Sequence, residues 1–258
     1  METGFLTPLL DFFRRGEVAR DVKLLAAQGA LAPRAHEQLG LLVLLQSDTD
    51  LEIAGIAEAT LQAIPPESIA AFLARSDAPA ELRTFFAARG IEPAPVALPD
   101  ADAEAPIIDT AADAAAESDE ADTEASALQR LAAMNVPQKV QRATKGSREE
   151  RAILIRDPNK MISMAVLSSP KLTTSEIEGF ARGGNISEDC LRVISRTRAW
   201  MKNYNVVYAL TKNPKTPVAI SMNLLPRLSE KDLRQLSTDR NVPDVLRVTA
   251  RKKILVDK

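Results

Sequence analysis

Between Phe5 and Arg89 apolar residues recur at helical spacing. Val22 with Leu24-Leu25, then Leu39, Leu42-Val43 and Leu45, fall at i, i+3, i+4, and nothing alternates with period two. Helices are therefore predicted and strands are not. Breaks come at Gly16, at Gly29 with Pro33, at Ser47-Asp48, at Pro65-Pro66 and at Ala78-Pro79. They divide the stretch into about six helices of roughly 9–14 residues. Pro66 and Pro79 stand close to helix starts, where a missing N–H costs nothing.

The helical pattern resumes at Ser126 and runs to near the end, with start signals for about ten helices. Ser147 with Glu150, Thr173 with Glu176, Asn185 with Glu188 and Ser229 with Asp232 each offer a capping oxygen followed by a carboxylate. Thr216-Pro217 reads as an N-cap with proline at the first helical position, and Gly183-Gly184 as a helix end.

A repeat organises this second half. Arg156-Asp157-Pro158-Asn159-Lys160, leading to Pro170-Lys171-Leu172-Thr173, returns 56 positions later as Lys212-Asn213-Pro214-Lys215-Thr216, leading to Pro226-Arg227-Leu228-Ser229. Each copy reads as four short helices with its prolines at the first and second turns. Leu154 matches Leu210, and Asn185 matches Asn241. With one residue dropped, Leu191, Arg192, Val193 and Arg196 fall on Leu246, Arg247, Val248 and Arg251. A fainter upstream copy places Asp48, Ile53, Ile69, Phe72, Asp77 and Leu82 near Asp157, Ile162, Ile177, Phe180, Asn185 and Leu191. A helical hairpin of about 28 residues cannot bury its apolar face alone, so stacking is the expected remedy.

On these residues the chain resembles the HEAT-like α-solenoid proteins. More narrowly, it is similar to a bacterial helical-repeat group carrying R-D-P-N-K, W-M-K-N-Y and N-P-K-T-P, here Arg156–Lys160, Trp200–Tyr204 and Asn213–Pro217. The resemblance implies an all-α, right-handed solenoid of stacked short hairpins. It implies a binding scaffold for protein or nucleic acid and carries no activity with it.

Charge divides the chain. Residues 1–92 hold 8 Lys/Arg against 13 Asp/Glu, residues 93–125 none against 10, and residues 126–258 25 against 12. The middle tract, opening with Pro93, Pro95, Pro99 and Pro106, has too little to bury to offset chain entropy. The expected organisation is an N-terminal helical-repeat domain at 1–90, a disordered acidic linker at 91–125 and a basic helical-repeat domain at 126–258. No run approaches the roughly 18 apolar residues of a membrane span, and the start lacks the basic region of a cleaved leader. One cysteine excludes an internal disulfide and fits a reducing, cytoplasmic setting.

Catalytic chemistry finds little footing. His36 is the one histidine, and no nucleophile turn of the G-x-S-x-G kind accompanies it. With one histidine and one cysteine, Zn-type clusters are not expected. Cys190 sits in the apolar stripe with Leu191 and Ile194, where a buried, inert thiol is expected. Gly183-Gly184 lacks the framework of a phosphate loop. Glu149-Glu150 and Glu188-Asp189 sit in helix first turns, where capping explains them. No catalytic, cofactor or metal residue is nominated, and a non-enzymatic protein is expected.

The candidate binding residues are basic and aromatic. Arg192/Arg196 and Arg247/Arg251 are i, i+4 pairs, which stacking would bring to one face, with Arg198, Lys252 and Lys253 extending it. Glu188 and Asp244 stand near enough to neutralise Arg192 and Arg247 locally, so a merely solvated surface is the competing reading. Trp200, Tyr204 and Tyr208 recur at i, i+4, i+8 as one helical stripe, either a packing seam or an exposed row for a partner. The expected function is an interaction scaffold for an acidic or protein partner. The alternative is a nucleic-acid-binding solenoid that contacts phosphates, with the acidic linker docking on the same basic face as a competitor.

Overall fold

The computed structural model describes residues 7–32, 34–94, 107 and 124–256. The start of the chain and most of the predicted acidic linker lie outside the described residues. Within them the protein is all-α, with 16 α-helices, two 3-10 turns and no strand.

Six helices precede the acidic tract: α1 Pro8–Arg14, α2 Arg20–Ala27, α3 Ala35–Leu45, α4 Leu51–Ala63, α5 Pro66–Leu73 and α6 Ala80–Ala87. Ten follow it. They are α7 Glu124–Ala132, α8 Val136–Lys145, α9 Arg148–Leu154, α10 Lys160–Val166, α11 Thr174–Arg182, α12 Glu188–Arg196, α13 Tyr204–Lys212, α14 Val218–Leu224, α15 Glu230–Thr238 and α16 Asp244–Val256. Trp200–Lys202 and Leu225–Arg227 form the 3-10 turns.

The caps explain most boundaries. Thr173 accepts from the Glu176 N–H while Glu176 returns a bond to the Thr173 N–H, and Ser147 and Glu150 make the same reciprocal pair. Ser229 caps α15 through the Asp232 N–H. Two predicted caps are displaced. Ser187, not Asn185, caps α12, and Pro217, not Thr216, is the N-cap of α14. Asn135 with Gln138 forms a capping box at α8 that the sequence reading did not name.

The chain forms two compact units. One comprises the described residues within 1–154 together with 164–171, the other 155–163 and the described residues within 172–258. Helices on both sides of the acidic tract share the first unit, where the buried Thr144 hydroxyl donates to Leu31 O at 3.3 Å. Ile107, within the tract, donates its N–H to the buried Gln38 Oε1 at 2.9 Å.

Burial in the first unit follows helical periodicity: Leu9, Phe12 and Phe13 on α1, Leu39 and Leu42 on α3, Ile53, Ala57 and Leu61 on α4, Val140 and Ala143 on α8. Polar groups close the α8–α9 corner. Glu150, buried, lies 3.4 Å from the Arg130 guanidinium and 3.8 Å from that of Arg142, and Arg151 donates to Gly146 O at 2.8 Å. Gly146 is required here. A Cβ would stand 2.3 Å from Glu150 Oε2 and 2.4 Å from Arg142 O.

The second unit holds alternate helices side by side in register. Asn205 of α13 donates to Glu178 of α11 at 3.2 Å. Tyr204 donates to Asp232, Tyr208 to Gln235 at 3.0 Å, and Lys212 pairs with Asp239 at 3.0 Å. Partners advance together along both chains, so α13 and α15 run parallel, about 27 residues apart. Buried Asn213 donates to Ala181 O and Gly183 O at 2.7 and 3.0 Å, tying the end of α13 to the end of α11.

Three helix starts recur at the 56-residue spacing: those of α9, α11 and α12 at 148, 174 and 188 return at 204, 230 and 244, while α10 and α14 start at 160 and 218. Buried Leu154, Ile177, Cys190 and Ile194 correspond to buried Leu210, Leu233, Leu246 and Ala250. No residue is dropped. Arg192 therefore corresponds to Val248 and Arg196 to Lys252, and the expected equivalence with Arg247 and Arg251 does not hold.

Two glycine substitutions separate these packing effects by urea denaturation. Gly146→Ala, forced against backbone and a buried carboxylate, is expected to destabilise the protein by about 1–3 kcal/mol. Gly55→Ala, inside α4 with nothing within 4 Å of the new Cβ, is expected to stabilise it by about 0.5–1 kcal/mol.

Candidate interaction surface

The predicted arginine face resolves into separate settings. Arg192 pairs with Glu188 and Arg247 with Asp244, the local neutralisation that the sequence spacing allowed. Arg251 donates to Ser237 O at 3.0 Å, fastening α16 to α15. Lys252 is exposed. Exposed pairs of this kind contribute only about 0.3–0.5 kcal/mol each.

The aromatic stripe is interrupted. Trp200 belongs to a 3-10 turn that ends at Asn203, whose extended backbone and side chain cap α13 through the Asn205 N–H. Trp200 is half-buried and lies off the helix that carries Tyr204 and Tyr208. The Tyr204 hydroxyl donates to Asp232 and accepts from the Ser229 N–H at 2.9 Å. Through their hydroxyls both tyrosines bridge α13 to α15, while Tyr204 remains exposed.

What the structure does gather is a basic corner. Arg196 ends α12, and Arg198 and Lys202 follow it; all three are exposed and none has an acidic partner among the described residues. Arg227, from the second 3-10 turn, donates a guanidinium N–H to Met201 O, which brings a fourth exposed cation against the same turn. Trp200 and Tyr204 flank it. Arg196, Arg198 and Lys202 flank the aromatic residues in the sequence itself, whereas Arg227 was missed because its approach depends on a hydrogen bond between residues 26 apart. No hydrophobic period announces such a contact.

A second feature of this unit is a cleft of about 700 Å³ at the ends of α11, α13 and α15. Arg182, Tyr208, Lys212, Pro214, Gln235 and Asn241 line it. Its cations share one geometry. Arg182 pairs with Glu178, with 63% of its side chain exposed against 20%, and Lys212 pairs with Asp239, at 39% against 14%. In each case the carboxylate is the more covered partner and the cation the more open one. Lys212 is held above its ordinary range chiefly by the Asp239 hydrogen bond. Asp239 is held below its own range by the Asn241 N–H and by Lys212.

The remaining chemically active side chains sit elsewhere. Cys190 is buried, and desolvation raises its thiol above the usual range, so little nucleophilic thiolate is present at neutral pH. His36 is pushed down to about 4 by burial and by Arg34 and Arg75, against the opposing pull of Asp77. Among the described residues no group of His, Cys, Asp or Glu forms a metal site. Nor is any helix there long and apolar enough to cross a membrane. No known protein family, curated protein or solved structure matches the chain.

The depressed histidine has a stability consequence with a fixed sign. Between pH 6.5 and 4 the unfolded chain binds a proton at His36 that the folded chain does not, so stability falls as pH drops through that window. The loss reaches roughly 3 kcal/mol by the lower end. Urea midpoints of the wild type at pH 7 and 4.5 should therefore differ more than those of His36→Gln; equal differences would contradict the assignment.

Proposed function

We propose that the chain is a non-enzymatic interaction scaffold, a HEAT-like solenoid of about 28-residue hairpins whose basic C-terminal half engages an acidic protein partner. The parallel register of α13 and α15, and the links from α13 back to α11, support a solenoid reading. One observation carries the functional reading: Arg227 bonds Met201 O within the turn that Lys202 ends and that Arg196 and Arg198 lead into, and all four are exposed with no acidic partner among the described residues. Like charges repel, and with the nearby Asp232 carboxylate engaged by Tyr204 and Ser229, these cations are suited to an external anion.

A protein partner is favoured over nucleic acid because the tract at 93–125, with 10 Asp/Glu and no Lys/Arg, would compete with phosphates for the same basic surface. Tyr204 is 42% exposed and Trp200 is half-buried, so stacking of unpaired bases at the corner is the second reading, which the oligonucleotide probes address.

The test uses the full chain and three labelled probes: a Glu/Asp-rich peptide, a single-stranded oligonucleotide and a duplex. The peptide is expected to bind, and Arg196→Glu with Arg198→Glu and Lys202→Glu should weaken it by a factor of roughly ten or more while helicity is kept. If the oligonucleotides bind more tightly, with a steep fall of log K against log salt, the nucleic-acid reading replaces this one. If the triple variant binds the peptide as the wild type does, the corner is not the site.

A further inference from the structure

The cleft at the ends of α11, α13 and α15 is separate from the basic corner, and its construction is different. Equivalent turns build it: α11, α13 and α15 end in Arg182-Gly183, Lys212-Asn213 and Thr238-Asp239, and the first two pairs carry the cation at the last helical position. Buried Asn213 fixes the relation of the first two turns through its bonds to Ala181 O and Gly183 O. Gly183 leaves no spare room, since a Cβ there would stand 2.8 Å from Ile186 Cγ1. These contacts fix the frame, although the cleft itself is open.

Glu178 and Asp239 support the two cations from their more covered side, and this orients them. Arg182 uses one terminal nitrogen on Glu178, and a guanidinium has five N–H donors in a planar fork. Lys212 has three donors and spends one on Asp239. Gln235 accepts from the Tyr208 hydroxyl through its carbonyl oxygen, which leaves its amide donors for other use. The Tyr208 ring and Pro214 supply apolar walls.

We infer that this cleft is a carboxylate-binding site, in which an acidic side chain of an extended peptide sits against Arg182 and Lys212 and the Gln235 and Asn241 amides bond its backbone. The volume suits a few residues of extended chain and lies within the range of ordinary ligand sites. Charge-assisted hydrogen bonds from a fork and an ammonium fit a carboxylate better than a neutral amide. The site stands whether or not the basic corner also binds an anion.

The probe is an acetylated, amidated pentapeptide with one central glutamate, and its control carries glutamine instead. Titrated into the ¹⁵N-labelled full chain, the glutamate peptide should give saturable shifts of the Gln235 and Asn241 side-chain amides, and the glutamine peptide should not. Arg182→Gln with Lys212→Gln should raise its Kd roughly tenfold or more, while Arg196→Glu with Arg198→Glu and Lys202→Glu leaves it unchanged. Helicity and urea midpoint of the double variant are measured alongside, because the substituted cations are the open members of their pairs and the fold should stay intact. Absent shifts at those amides, equal shifts with the two peptides, or wild-type affinity in the double variant would each overturn the site. Weakening only by the corner variant would overturn it too, while leaving the corner's own role standing.

Discussion

Short helices that cannot stand alone impose the main constraint on this protein. The longest helices among the described residues, α4 and α16, have 13 residues, and several have seven. Isolated helices of that length are marginal in water, because nucleation costs more than a few hydrogen bonds return. Each must bury an apolar stripe on a neighbour and close its own ends. The second unit does both: Ile177 and Phe180, Cys190 and Ile194, Val206 and Leu210, Leu233 and Leu236 turn inward, and Thr173, Ser187, Asn203 and Ser229 cap the starts.

Register follows from this constraint and in turn places the charges. Because α13 and α15 advance together, Tyr204, Tyr208 and Lys212 meet Asp232, Gln235 and Asp239 in order. One end of the ladder presents Arg182 and Lys212 above their covered carboxylates. The turns before α13 and α15 contribute Arg198, Lys202 and Arg227 to the basic corner. Charge that looks diffuse in composition is therefore concentrated by turn chemistry, not by a helix face.

Helix identity was legible in the sequence because each signal is local. Pro158 and Pro214 mark equivalent turns, and Thr173 with Glu176 and Ser229 with Asp232 mark equivalent starts. The arginine equivalence failed for a local reason too. Dropping a residue aligned Arg192 with Arg247 by identity, whereas the buried positions keep the 56-residue spacing and put Cys190 on Leu246. The aromatic stripe failed at Asn203, a residue that competes for the cap and interrupts the helix. Contacts between residues far apart were not legible at all. Thr144 reaching Leu31, and Arg227 reaching Met201, leave no period in the chain.

The parallel register of α13 and α15 underlies both proposed sites, and the chain is well suited to a direct check of it. It has two tyrosines, Tyr204 and Tyr208, so their ring protons are readily distinguished. In a NOESY spectrum of the full chain the Tyr204 ring should show contacts to Ser229 and Asp232, and the Tyr208 ring contacts to Gln235. Contacts in the reverse order, Tyr204 to Gln235 and Tyr208 to Asp232, would make the helices antiparallel and contradict the account.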